Sequence, residues 1–156
     1  MKSTILLGIV AVVLWMALII GLSHQPAPSS DALSFDVTER IVAVIERLVP
    51  GVDLNPRELN HAVRKYAHFS IYFVLGILVA RILTKLGVRG FRCAAFALLI
   101  CVLFATSDEL HQLFVVGRGA QVTDVFIDSA GAAIGIALLL GIMRLRRRSR
   151  NKHYSG

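Results

Sequence analysis

The sequence predicts an all-α polytopic membrane protein: a bundle of four transmembrane helices with an amphipathic extracytoplasmic helix between the first two spans. Three observations carry that reading. Of the 156 residues, 56% are hydrophobic, and the mean hydropathy of +0.69 is far above that of a soluble globular domain. Four windows, residues 4–22, 62–83, 93–114 and 123–143, each approach the length that crosses hydrocarbon, ~20 residues for ~30 Å at about 1.5 Å per residue. Most basic residues lie in short runs beside those windows. A chain of this size is expected to form a single domain over residues 1–156.

The first window follows Lys2, as the apolar core of a cleavable signal peptide would. Its apolar run is longer than such a core, and no A-x-A site follows, so a retained span is expected. Pro26, Pro28 and the serines around them then read as an irregular exit from the membrane, and Pro50-Gly51 and Asn55-Pro56 as breaks. Between them, Phe35, Val37, Ile41, Val44, Ile45, Leu48 and Val49 recur at helical spacing opposite Asp36, Glu39, Arg40, Glu46 and Arg47, the pattern of an amphipathic helix. Such a helix lies flat on the membrane surface or caps the mouth of the bundle, either as a shield or as a gate.

The third window holds Cys93 and Cys101, about 12 Å apart along a helix and unable to pair with each other there. They read as small buried hydrophobes, since no CxxC or histidine spacing accompanies them. Thr123 is placed to cap the fourth span, with Asp124 at the positive end of its dipole. A basic tail, residues 144–156, closes the chain.

Lys2, the run Arg81, Lys85, Arg89 and Arg92, and the tail would all be cytoplasmic by the positive-inside rule. The acidic residues fall in the remaining segments, between Asp31 and Glu58 and between Asp108 and Asp128. The net charge of +7 therefore points to anionic lipid headgroups, with no nucleic-acid fold around the basic runs. Membrane lipids are the expected partners, and no nucleic acid is.

Several ionisable residues nevertheless fall inside the spans, where each costs at least ~2.5 to 3.5 kcal/mol on insertion scales. Lys65, His68 and Tyr72 are spaced i, i+3, i+7 on one helical face; Asp108, His111 and Gln112 share another, with Glu109 one turn from Gln112. Asp124, Asp128, Gly131 and Gly135 form a third stripe, and the Gly-x-x-x-Gly pair allows a neighbouring backbone to approach closely. Counted from the outer ends of the spans, His68, Asp108 and Asp128 each lie roughly 8 to 9 Å deep, so they can meet at one level. Arg118, between two glycines, is placed to clamp Asp124 or to bind a phosphate or carboxylate of a ligand. The set reads either as polar glue between helices or as a functional site; glue favours Ser, Thr, Asn and Gln over carboxylates and histidines.

The stretches "LSHQPAPSS", "RKYAHFSIYFVLG" and "SDELHQLFVVGRGAQVTDVFIDSAGAAIG" resemble the VanZ-like family of small bacterial membrane proteins over most of the chain. The matching positions are Lys65, His68 and Tyr72, then Ser107, Asp108, Glu109, Gln112 and Phe114, then Arg118, Asp124 and Gly131-x-x-x-Gly135. Asp128 departs from the pattern, since many relatives carry asparagine there. The resemblance implies a location in the bacterial cytoplasmic membrane and an association with resistance to the glycopeptide teicoplanin, with a lipid-linked cell-wall component or the glycopeptide itself as a possible partner. It does not imply a mechanism.

Three functions fit these residues. In the first, the protein binds an envelope component at an outward-facing polar site, with Lys65 and Arg118 on the anionic part. In the second it is an intramembrane hydrolase or transferase, whose His68, His111 and carboxylates would act as acid and base or hold zinc or manganese; neither HExxH nor GxSxG is present. The third is a proton-coupled transporter or flippase, for which four spans without an internal repeat are few. No cofactor or resident metal is expected, and the oligomeric state is open.

Overall fold

The computed structural model describes residues 2–48 and 55–153 and places five helices in them: α1 (Lys2–Ser23), α2 (Ala27–Leu48), α3 (Pro56–Lys85), α4 (Gly90–Gln112) and α5 (Val122–His153). No strand occurs among the described residues. Four of the helices, α1, α3, α4 and α5 as far as Arg147, are long and apolar enough to cross a membrane. The expected break at Pro50-Gly51 lies outside the described residues.

The central helix is α3, which packs on all four of the others. Its start is set locally: the Asn55 side chain accepts a hydrogen bond from the Arg57 N–H at 3.1 Å, Pro56 occupies the first turn, and Glu58 faces the positive end of the dipole. This moves the helix start six residues before the apolar window at Ala62, because capping rather than hydropathy decides where α3 begins. With 30 residues it is about 45 Å long, so its polar first turns project past the hydrocarbon. Its end is a left-handed turn, Gly87 at φ 92°, with Gly87 N–H donating to Thr84 and Val88 N–H to Leu83.

The closest crossing in the bundle is α3 on α5. A Cβ on Gly131 would strike the Phe69 carbonyl, one on Gly135 the Phe73 carbonyl, and one on Gly76 the backbone of Ala132. Three glycines let two backbones touch, as the Gly-x-x-x-Gly spacing anticipates. On α4, Cys93, Ala97, Cys101 and Ala105 form a fully buried stripe of small side chains, with Phe96, Leu99 and Leu103 on the exposed side. Both cysteines are free, and Cys93 Sγ lies 3.6 Å from the Ala80 carbonyl oxygen. They are small buried packing groups, as their sequence context predicts.

Helix α1 lies at the edge of the bundle. It touches the core through Val12, Trp15, Met16 and Ile19, and Trp15 Nε1–H donates to the Ile71 carbonyl at 3.0 Å. Lys85 Nζ donates to the Thr4 carbonyl at 3.2 Å, whereas Ser23 meets Asp108, so the start of α1 and the end of α3 share one end of the bundle. That basic end also carries the α3–α4 connection and the end of α5; the polar constellation lies at the other.

Several boundaries differ from expectation. Pro28 opens α2 rather than prolonging an irregular exit: the helix begins at Ala27, because proline is tolerated in a first turn where its missing N–H has no partner to lose. The Ala27 N–H donates to the Val116 carbonyl at 3.2 Å, tying α2 to the α4–α5 connection. The α-helix of α4 stops at Gln112, two residues before Phe114, and the chain continues through tighter i→i+3 turns to Val115. Thr123 lies inside the first turn of α5, which starts at Val122, so it is not the cap. The described part of the basic tail, to His153, continues α5 as helix.

Helix α2 packs across the projecting turns of α3. Thr38 is fully buried, 3.4 Å from Asn60 Oδ1, and Asp31 pairs with Arg64 at 2.5 Å. Val37, Val44 and Leu48 stay exposed on an adjoining stripe. The helix is amphipathic as expected, and its position caps one mouth of the bundle.

Candidate functional site

Under α2 lies a cavity of about 290 Å³, walled by Ile19, Leu22 and Ser23 of α1, by Val63, Arg64, His68 and Tyr72 of α3, by Ser34 and Val37 of α2, and by Arg118. Its surface is mostly apolar, with two guanidinium side chains and one imidazole on the wall. This mixture follows from helical spacing: Arg64, His68 and Tyr72 lie at i, i+4, i+8 along one face of α3, with Ile71 beside them.

Behind the wall lies a buried acidic layer. Asp108 is 3% exposed, Glu109 5% and Asp128 2%. Asp108 Oδ2 accepts from Ser23 Oγ at 2.8 Å and lies 3.5 Å from Gln112 Nε2, which is also 3.4 Å from Ser23 Oγ. Glu109 accepts from the Gln121 backbone N–H at the foot of α5. Asp128 Oδ1 stands 3.5 Å from His68 Nδ1, an ion-pair separation. Asp108 Oδ1, Tyr72 Oη and Arg118 Nε have no hydrogen-bond partner among the described residues. Unpaired buried polar atoms beside a cavity mark places where a ligand or water would bind.

Arg118 lies on the α4–α5 connection, held between Gly117 at φ 76° and Gly119. Burial pushes its pKa below the usual arginine value, helped by the neighbouring positive charge of Arg64, while Asp108, Asp31 and Glu109 pull it back. A guanidinium remains charged under such a shift. No ion pair joins it to Asp124 among the described residues, so the expected clamp is not formed.

The ten sequence-predicted site residues therefore separate into four groups. His68, Tyr72 and Arg118 line the cavity, and Asp108, Glu109, Gln112 and Asp128 form the buried layer. Lys65 and Asp124 lie apart, lining a small side cleft of about 60 Å³ with His61 and Gln121, into which His68 and Arg64 also face. His111 turns away to the rim, where its Nε2 lies 3.1 Å from His24 Nδ1. Among the described residues no three His, Cys, Asp or Glu side chains are grouped so as to hold a metal.

A model of the VanZ/LLP1 family matches residues 8–144, nearly the whole chain and every group just described. The chain belongs to the VanZ/LLP1 family. No curated protein and no solved structure matches it.

Two parts of this VanZ/LLP1 site escape a reading by motif. Ser23 sits in the quoted "LSHQPAPSS", yet nothing in its spacing relates α1 to Asp108, a partner 85 residues away. Arg64 is hidden beside Lys65; the signal that finds it is its i+4 relation to His68, closer to one face than the i+3 relation of Lys65.

Proposed function

We propose that this VanZ/LLP1 protein binds an anionic, lipid-linked component of the cell envelope in the cavity beneath α2, on the outer side of the bacterial cytoplasmic membrane. The observation that carries this reading is the presence of Arg118, beside an Arg64 already paired with Asp31, on the wall of a mostly apolar cavity inside a membrane-spanning bundle. Guanidinium groups suit phosphate and carboxylate oxygens, and an apolar wall suits the chain attached to them. In this reading the charge distribution puts both termini in the cytoplasm and the cavity outside. The buried carboxylates hold Ser23, Gln112 and His68 in place beneath the ligand. Sequestering such a component is the route by which the protein would alter glycopeptide access.

The test is mass spectrometry of lipids retained by the purified full-length protein. Wild type should carry an anionic lipid that Arg118→Ala lacks at equal membrane abundance; retention by the variant overturns the reading. The His68–Asp128 pair favours a second reading, hydrolysis or transfer on the same lipid, with His68 as base and Asp128 orienting its ring. Turnover of a radiolabelled lipid extract, abolished by His68→Gln while lipid retention persists, would select it.

A further inference from the structure

The opposite end of the molecule offers a second site. The sequence has no Asp or Glu between Glu58 and Asp108 or after Asp128, so the basic end has no acidic side chain of its own. There a cleft of about 200 Å³ opens between the start of α4 and the last turns of the α5 span, with Arg89, Arg144, Arg147 and Thr84 around it and Leu140 and Met143 as its apolar floor. None of the three arginines forms an ion pair among the described residues. Gly90 of the same cleft opens α4; the preceding Arg89 is extended, at φ −131° and ψ 158°, and makes no side-chain capping bond, and the first turn holds no acid. Three converging cations and an uncapped helix start face one small space.

We propose that this cleft binds the phosphate of one anionic phospholipid from the leaflet at the basic end. The shared chemistry is that of any phosphate; the floor of Leu140 and Met143 and the exposed Leu86 and Phe91 nearby favour a headgroup with chains over a free ion. Arginine forks grip phosphate oxygens in pairs, which Arg89 does from the α4 side and Arg144 and Arg147 from α5. The site is independent of the cavity beneath α2.

The experiment is native mass spectrometry of the full-length protein in detergent, titrated with phosphatidylglycerol, phosphatidylcholine or sodium phosphate. Wild type should hold a single saturable phosphatidylglycerol. Replacing all three arginines (Arg89→Gln, Arg144→Gln and Arg147→Gln together) should weaken it roughly a hundredfold, and Arg147→Gln alone about fivefold. A control with equal charge loss outside the cleft, Arg81→Gln with Arg92→Gln and Arg146→Gln, should stay within about threefold of wild type. Equal loss in the cleft and control variants overturns the proposal, because diffuse attraction would then suffice. Phosphatidylcholine bound as tightly, or phosphate displacing the lipid at equal concentration, overturns it as well. All the replaced side chains are exposed, so the fold is spared.

Discussion

Asp108 is buried with one oxygen engaged by Ser23 and Gln112 and the other unpaired, which makes it the residue whose removal disturbs the site most. Asp108→Ala leaves the Ser23 hydroxyl without its acceptor and should lower stability by about 1 to 3 kcal/mol, read from thermal unfolding in detergent. Asp128→Asn keeps an acceptor toward His68 and should change stability by less than about 1 kcal/mol in the same assay. Arg118 gives a pH test. A lysine there starts from a pKa of about 10.4, and the burial that lowers Arg118 would lower it too. Burial disfavours the cation, so lipid binding by Arg118→Lys should be full at low pH and be lost at a pH below the ordinary lysine range as pH rises, while wild type stays flat. A flat profile for the variant would mean that residue 118 does not contact the ligand. Most of these residues were legible in the sequence, because ionisable groups inside apolar windows stand out. Spacing within one helix cannot see the neighbouring helix, however. It grouped His111 with Asp108, whereas His24 of the α1–α2 turn draws His111 to the rim.

At the scale of elements, the α3–α5 crossing depends on Gly76, Gly131 and Gly135. Gly135→Ala drives a methyl into the Phe73 carbonyl and should cost about 1 to 3 kcal/mol, again by thermal unfolding. Gly141→Ala, with nothing within 4 Å of its added carbon, should leave stability unchanged or slightly raised. Equal behaviour of the two would show that the helices do not meet at this crossing. The glycine pair announced itself by spacing, but Gly76, its counterpart on α3, did not. Hydropathy located the spans yet missed their ends. Asn55 and Pro56 extend α3 before the apolar run, Pro28 begins α2, and the turns after Gln112 shorten α4, each through backbone hydrogen bonding that hydropathy does not record.

Taken whole, the molecule is electrically polarised along the bundle: carboxylates gather at the cavity end and arginines at the other. If the charge bias sets orientation, a fluorescent reporter that matures only in the cytoplasm should glow when fused to either terminus, and alkaline phosphatase fused there should be inactive; the reverse pattern would place the cavity inside. The four-span architecture was legible because apolar runs of this length have few other uses. The place of α2 was not, since an amphipathic period fits a membrane surface and a protein surface alike. Among the described residues, the polar pairs Asp31–Arg64 and Thr38–Asn60 help fix it on α3. The buried stripe on α4 has a practical corollary. Cys93 and Cys101 are the chain's two cysteines, and each has no exposed surface. Water-soluble maleimides should therefore find no native thiol to modify. A single new cysteine, such as Gly119→Cys beside Arg118, would be the one labelled position, ready for sidedness mapping or spin labelling without first stripping the chain of its own thiols.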